Sequence, residues 1–381
     1  MSATKVKRSQ ITDEGLSELT GLPSLDHLGL QASQVTDQGL NECLSELTSI
    51  SNLDLAFLDI SDAGLNGLST LPQLTKLNLV HTGVSHDGVV ALAATHWQNL
   101  KSLNIGNTAI KNDTLAEFPD IFQPNRLDLK DTAITDSGVK HLVDRRELEY
   151  LVLSECDVSD DGVRALENLD RLKWLKLVRT KVTDDSLVWL SNTNLERLEL
   201  RRTGVTDAGM PTITDFPKLR SLDLTRTAVG NRAIRFFQEA CNLESLYVER
   251  SQVNGEGFGD LKAIPKLKAL SVTPGNPPKD AMKSLLELPS LQHLAVWDDT
   301  PVAELLPMLS QLKSLLLFEP DYSILKNLRT MESLRWLLVP AKEPDIAMLN
   351  RFRNAVPKCS VRFYRKECNA RRDFRTLAEY Y

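Results

Sequence analysis

The sequence has few of the residues from which catalytic and metal centres are usually built. Its 381 residues include only six histidines, and none has the spacing of a metal-binding motif with a carboxylate. The cysteines are odd in number and scattered, with no CxxC pair: Cys43, Cys156, Cys241, Cys359 and Cys368. We therefore predict free, mostly buried thiols in a reducing compartment, no metal and no cofactor.

Motifs of common enzyme classes and of membrane proteins are also missing. The chain contains no GxSxG, HExxH or Walker sequence, so we predict no catalytic residues and a protein that is not an enzyme. No run of 18 apolar residues occurs, and the start "MSATKVKRSQ" has no apolar signal region. These features predict a cytoplasmic protein without a membrane partner.

The charge balance argues against generic binding of nucleic acid. The formal net charge is −6, although the last segment is basic, with nine Lys and Arg against three Asp and Glu in residues 351–381. Apolar residues make up 42 % of the chain, which is enough for an ordinary core.

A repeat of about 24 residues runs along nearly the whole chain. Each copy contains LxxLxL, and the second leucine of the LxL pair, or its apolar equivalent, recurs at fifteen positions: Val6, Leu30, Leu55, Leu79, Ile105, Leu129, Leu153, Leu177, Leu200, Leu224, Val248, Val272, Val296, Leu317 and Val339. A period in the twenties with this motif is typical of leucine-rich repeats. LxxLxL predicts a short strand, and the following TDxGLxxL predicts a short helix.

The chain resembles the leucine-rich-repeat family, in particular bacterial and ribonuclease-inhibitor-like arrays of the LxxLxLxxTxVTDxGL type. The resemblance implies an α/β solenoid, with a curved parallel sheet on the concave face and short helices on the convex face. We expect about fifteen repeats in residues 1–364 and a basic amphipathic tail or cap in residues 365–381. Proteins of this kind are generally binding scaffolds.

Three columns of the repeat are predicted to be structural. An aspartate column is predicted to cap the helices: Asp13, Asp37, Asp62, Asp136, Asp160, Asp184 and Asp207. The glycine two residues later is replaced by Thr114, Ser186 and Ala233, so the position requires a small residue rather than positive φ. A Thr or Ser three residues after LxL is predicted to satisfy a backbone group at the turn, with Cys156 as a small variant.

The first strand, near Val6, has no capping unit before it in this sequence. Lys5, Lys7 and Arg8 are predicted to protect that edge by charge, and pairing of two copies through the edge, giving a homo-oligomer, is the alternative.

The variable positions beside the leucines are the candidates for function. Arginine stands two residues after LxL in four successive repeats, flanked by a fifth arginine and three aromatics: Arg179, Arg202, Arg226, Arg250, Arg201, Tyr150, Trp174 and Tyr247. The last repeats add an apolar strip that includes Trp297, Phe318 and Trp336. We predict that these residues bind a partner. The alternatives are a solvated rim for the arginines and, for the strip, a cover formed by the C-terminal tail.

Together these features predict a non-enzymatic scaffold whose concave face and adjoining loops dock a protein or peptide. Arginine pairs with carboxylate and phosphate, which favours an acidic or phosphorylated partner. A substrate-recognition adaptor of a larger complex is the alternative, and nucleic-acid binding is a weaker one.

Overall fold

The structure is a computed structural model. It describes residues 10–22, 24–93, 99–239, 242–273, 283–296, 303–318, 322–341, 346–364 and 374. The chain divides into two compact units, residues 1–195 and residues 196–381. The predicted N-terminal edge at Val6 lies outside the described residues.

The described residues of the first unit form seven parallel strands, paired in sequence order and in register wherever both partners belong to this unit: β1 (His27–Gly29), β2 (Asn52–Asp54), β3 (Lys76–Asn78), β4 (Ser102–Asn104), β5 (Arg126–Asp128), β6 (Tyr150–Val152) and β7 (Trp174–Lys176). The return segments carry short helices: α1 (Asp13–Ser17), α2 (Asp37–Cys43), α3 (His86–Ala93), α4 (Asn112–Ala116), α5 (Asp136–Val139) and α6 (Asp160–Arg164), then α7 (Asp185–Leu190). The described 3-10 helices of this unit are Leu44–Glu46, Asp62–Thr70 and Lys140–Leu142.

The second unit repeats this plan with eight strands, also parallel and in sequence order: β8 (Arg197–Glu199), β9 (Ser221–Asp223), β10 (Ser245–Tyr247), β11 (Ala269–Val272), β12 (His293–Val296), β13 (Ser314–Leu317), β14 (Trp336–Pro340) and β15 (Ser360–Tyr364). Its α-helices are α8 (Ile234–Phe237), α9 (Phe258–Leu261) and α10 (Ile346–Ala355). The 3-10 segments are Asp207–Asp215, Asn231–Ala233, Gly255–Gly257, Ser284–Glu287, Leu306–Met308 and Tyr322–Thr330.

The repeat leucines form the core between strands and helices in both units. Leu151 and Leu153 in the first unit, and Leu222 and Leu224 in the second, are completely buried. Each such side chain contributes about 1.5–3 kcal/mol through burial. The residues between the leucines point to the opposite side of the sheet, called the open face below. The predicted stacking of strand–turn–helix repeats is therefore confirmed within each unit.

The threonine column acts as predicted. The hydroxyls of Thr82, Thr132 and Thr227 donate to the carbonyl three residues earlier, at 2.8, 2.7 and 2.7 Å. Cys156 fits the same small space, and its thiol lies 3.1 Å from the carbonyl oxygen of Leu129 in the preceding repeat.

The aspartate column does not cap the helices, so this prediction was wrong. At α1, α2 and two 3-10 segments, the preceding Thr or Ser is the N-cap and accepts the helical N–H. The carboxylate instead reaches the next repeat, where Asp136 accepts from the backbone N of Ser159 at 2.7 Å and from its hydroxyl at 2.6 Å. Asp13, Asp37, Asp62 and Asp160 make the same pair of bonds to their following repeats. The aspartates therefore tie successive repeats together.

This tie explains the small-residue column, whose prediction is confirmed. A Cβ added to Gly88 or Gly162 would lie 2.1 or 2.4 Å from the carboxylate of the preceding repeat's aspartate, and none of the column's glycines has the positive φ that favours glycine. Ser186 is tolerated because its hydroxyl donates to Asp160. Thr114 is tolerated because the preceding repeat has His86 in place of aspartate, and its Nδ1 lies 3.0 Å from the threonine hydroxyl.

Candidate partner-binding surfaces

The predicted arginine column lies at a turn with an unusual backbone. Ten residues two positions after LxL, none of them glycine, have φ between 53° and 64°: Ala32, Phe57, His81, Asn107, Asp131, Glu155, Arg179, Arg202, Arg226 and Arg250. A non-glycine residue in this left-handed region costs roughly 1–2 kcal/mol. In most of these turns the backbone N–H donates to a carbonyl of the following repeat, as Arg226 does to Glu249 at 2.9 Å, which compensates for the strain. The sequence pattern does not predict this conformation, because none of these residues is glycine.

In the first unit the side chains of this column bond to one another. Asn107 lies between His81, at 2.8 Å, and Asp131, at 2.5 Å. Farther along, Arg179 donates to Glu155 at 3.3 Å, and Lys130 lies 3.4 Å from the other oxygen of the same carboxylate. Glu155, which occupies the same position in the preceding repeat, therefore neutralises Arg179.

In the second unit Arg202, Arg226 and Arg250 follow three strands that are paired in register, β8, β9 and β10. Equivalent backbone positions on such strands are about 4.8 Å apart, so the three residues form a file at the strand ends. Arg202 and Arg250 are exposed, and Arg226 and the adjacent Arg201 are half-buried. We call Arg202, Arg226 and Arg250 the arginine file.

Small polar residues on the open face of the first unit have a structural role. The side-chain oxygens of Asp54, Asn78, Asn104 and Asp128 each accept the backbone N–H two residues later, at 3.0 to 3.2 Å. This Asx-type bond ends the strand and starts the turn. Sequence columns alone do not separate such residues from partner-binding ones.

The open face of β5–β7 brings two of the predicted aromatics together with two cations. The rings of Tyr150 and Trp174 meet edge to face, with centroids 4.8 Å apart. The guanidinium carbon of Arg126 lies 3.5 Å from the Tyr150 ring centroid, and Lys176 Nζ lies 4.5 Å from that of Trp174. Such cation–π contacts hold the charges at fixed places. We call Arg126, Tyr150, Trp174 and Lys176 the open-face patch; both cations were missing from the predicted binding residues.

Exposure differs among the patch residues. Arg126 is exposed, Trp174 and Lys176 are half-buried, and Tyr150 is buried beneath Arg126. Tyr150 therefore supports the patch rather than presenting a surface of its own. Beside it, burial raises the pKa of the Asp128 carboxyl, while Lys176, Arg126 and Lys130 act in the opposite direction. The patch thus combines a flat aromatic surface with cations of fixed position.

The predicted apolar strip of the last repeats is largely covered. Leu316, Phe318 and Leu338 are buried in a cluster completed by Tyr247, Ala295, Tyr364 and Phe374, with Trp336 packed against it. Tyr247 and Phe318, predicted to bind a partner, are 2 % and 3 % exposed, so in this structure they are core residues. Phe374 belongs to the tail, which supports the alternative of a cover formed by the tail.

Two other residues of the strip have different outcomes. Trp336 is half-buried, and the guanidinium carbon of Arg362 lies 4.3 Å from its ring centroid. Trp297 lies outside the described residues.

A buried histidine on the same face predicts a dependence of stability on pH. His293 Nδ1 lies 2.6 Å from the Ser314 hydroxyl, and burial, with smaller contributions from Lys313 and Lys268, lowers the His293 pKa from 6.5 to about 4. The folded state thus disfavours the charged ring, so this stabilisation is complete above pH 6.5 and is lost as the pH falls towards 4. We expect His293→Gln to flatten the fall in urea midpoint between pH 6.5 and 4. An unchanged slope would contradict the assignment.

The described part of the chain gives little support for a reactive thiol, a metal site or a membrane span. Cys43, Cys156 and Cys359 are buried thiols, as predicted, and burial raises the pKa of Cys359 to about 12. Cys241 and Cys368 lie outside the described residues. Among the residues that the structure covers, no three His, Cys, Asp or Glu side chains form a group that could hold a metal ion. None of the described helices is long and apolar enough to span a bilayer.

Comparison with known proteins agrees with this architecture. A family model described as "Leucine Rich repeat" matches residues 70–93, 146–166 and 191–213. No curated protein sequence gives a significant match.

Among solved structures, an internalin (inlF) from Listeria monocytogenes is similar over 92 % of this chain and 88 % of its own, with 20 % identity and a TM-score of 0.50. An internalin C2 from the same organism is similar over 61 % of this chain and 92 % of its own, with 20 % identity and a TM-score of 0.44. At these identities the likeness concerns the fold alone. The repeat, the stacked parallel strands and the three matched segments together show that the chain has the leucine-rich-repeat fold.

Proposed function

We propose that this protein is a non-enzymatic scaffold that binds an acidic protein or peptide, and that the open-face patch of the first unit is its principal contact. The leucine-rich-repeat fold commonly serves protein–protein interaction. The observation that carries the proposal is the cluster of Arg126, Trp174 and Lys176 on the open face, where the repeat needs no side chain for its own core.

The chemistry of the patch fits such a partner. Trp, Tyr and Arg are the residues that most often dominate binding energy at interfaces. Cations held over aromatic rings lose little conformational freedom when an anion arrives, because their positions are already fixed. Lys176 and Arg126 lower the pKa of Asp128 against the larger, raising effect of its burial, so these cations favour a carboxylate's negative charge at this face.

We propose the arginine file of the second unit, together with Arg201, as a second contact for carboxylates or phosphates. Arg202 and Arg250 are exposed at the strand ends, where a guanidinium can make two parallel hydrogen bonds to such a group. Two acidic residues near this file in the sequence, Asp223 and Glu249, are buried. The Thr225 hydroxyl donates a hydrogen bond to Glu249. Arg179 of the first unit pairs with Glu155 and is not part of the arginine file.

The test compares proteins captured by four forms of the chain from cell extract, quantified by mass spectrometry. One variant carries Arg126→Glu and Lys176→Glu, and a second carries Arg202→Glu, Arg226→Glu and Arg250→Glu. We expect each to reduce recovery of specific partners at least tenfold, since charge reversal at a contact repels an acidic surface. Cytoplasmic and non-cytoplasmic extracts are tried separately, which also tests the predicted location.

A matched control reverses three exposed arginines on the helix side: Arg164→Glu, Arg232→Glu and Arg235→Glu. This variant should recover the same partners as the unmodified chain. If the patch and file variants do so too, the proposed surfaces are wrong. Loss of capture after phosphatase treatment would identify a phosphorylated partner, and capture of intact complexes would favour the adaptor role. Binding of nucleic acid that weakens steeply with salt would favour that alternative.

A further inference from the structure

The open face of β10–β13 is buried, although no helix of the repeats packs on this side. Ser271, His293 and Ser314 are 0 %, 2 % and 0 % exposed, and all three alternate with core leucines along their strands. On the open face of the first unit, by contrast, the equivalent Asn52, Asn78 and Asn104 are half-buried. Part of this burial comes from neighbouring open-face side chains, as at Tyr150 and Val152 of the first unit, and part from a segment outside the repeats.

The described part of the cover comes from the C-terminal end of the chain. Phe374 is 1 % exposed and belongs to the cluster with Tyr247, Leu316 and Leu338, which are open-face residues of three different strands. Tyr364 of β15 adds a second aromatic, and its hydroxyl donates to the carbonyls of Leu317 at 2.7 Å and Phe318 at 2.9 Å. Phe374 thus fills an apolar site on the sheet as an anchor side chain would.

The sequence around the anchor is basic, but the anchor's contacts are apolar. Phe374 is flanked in the sequence by Arg371, Arg372 and Arg375. The second unit has Asp223 on the open face of β9 and Glu249 directly after β10, and both are at least 98 % buried. Both acids already accept hydrogen bonds from Thr225, so the apolar contact rather than charge selects the anchor.

We propose that the open face of β10–β14 is a binding groove for an extended segment with one aromatic anchor, and that the chain's own C-terminal segment occupies it through Phe374. A partner segment of the same chemistry would compete with the tail for the groove. This groove is formed by residues other than those of the open-face patch, and it does not depend on the proposed function.

The test measures binding of a labelled peptide with the sequence of residues 365–381 to the full-length chain. A tethered segment has an effective concentration in the millimolar range, so the unmodified chain should bind the peptide weakly. We expect the Phe374→Ala chain to bind it at least tenfold more tightly, because the competitor has lost its anchor. The peptide with the same substitution should bind that chain at least tenfold more weakly.

The matched control is Phe363→Ala, which removes a phenylalanine of β15 that is 42 % exposed and outside the cluster. This chain should behave as the unmodified one. Equal affinity of the unmodified and Phe374→Ala chains for the peptide would overturn the proposal, as would equal affinity of the two peptides for the Phe374→Ala chain.

A second measurement needs no substitution, so it tests the proposal even if the Phe374→Ala chain does not fold. Excess peptide is added to the unmodified, isotope-labelled chain, whose own fragments differ from the peptide in mass. Hydrogen exchange in the chain's residues 365–381 should rise several-fold when the peptide displaces them. No change in exchange at saturating peptide would show that the segment is a permanent part of the core and would overturn the proposal.

Discussion

Replacing Gly162 by alanine is expected to lower the free energy of unfolding by about 3–5 kcal/mol. An added Cβ would lie 2.4 Å from Asp136 Oδ1 and 3.1 Å from its Cα, so the carboxylate must move. The move costs about 1–3 kcal/mol in overpacking and a similar amount in the two hydrogen bonds from Ser159. Urea unfolding followed by circular dichroism measures the loss.

Gly15 provides a control with the same motif and the opposite sign. It occupies the same place in TDxGL, but its nearest neighbours to an added Cβ are Ile11 Cγ2 at 3.8 Å and Thr12 Oγ1 at 4.0 Å. Among the described residues, alanine there meets no carboxylate and should stabilise the helix by about 0.5–1 kcal/mol. Equal effects at the two glycines would mean that the aspartate tie does not set the size limit.

Replacing Arg145 by methionine is expected to destabilise the first unit by about 3–5 kcal/mol. Arg145 is 5 % exposed, and its guanidinium donates to the carbonyls of Phe118, Pro119 and Phe122 at 2.8, 3.0 and 2.9 Å. Methionine fills similar space but leaves these carbonyls without that donor. Each buried carbonyl that loses its hydrogen bond lowers the free energy of unfolding by about 1–3 kcal/mol. Burial also lowers the pKa of Arg145, because it disfavours the charged guanidinium.

The neighbouring Arg146 gives the matched control, since it is exposed and lies one residue away. Arg146→Met should change the free energy of unfolding by less than about 0.5 kcal/mol. If Arg145→Met is equally mild, then water or a local shift satisfies the three carbonyls, and the guanidinium is not what fixes the loop of residues 118–122.

The sequence predicted the repeat architecture because each scaffold position has one local task. Leucine spacing predicts the strand and its buried side, and the hydroxyl of a residue such as Thr132 needs only its own turn to find a carbonyl. The size limit at Gly162 was likewise visible from the residues that replace glycine in other copies. These predictions depend on contacts within a repeat or on composition alone.

Contacts between repeats were harder to predict. The aspartates look like helix caps in sequence, and only the stacked geometry shows that Asp136 reaches Ser159 in the next repeat. The left-handed turn is hidden because Arg202 and its equivalents are not glycine. The columns predict that Tyr247 and Phe318 are exposed, but both are buried in a cluster that includes Phe374, which is far away in the sequence.

The most direct test of the central claim compares oxidation of two tryptophans by hydroxyl radicals, with and without a captured partner. Trp174 lies on the open face of β7, and Trp189 lies on the helix side in α7, 4.6 Å from the Arg164 guanidinium carbon. Both are half-buried in the free chain, so both are open to oxidation. Binding should protect Trp174 and leave Trp189 unchanged. Protection of Trp189 with no change at Trp174 would place the partner on the helices and contradict the account.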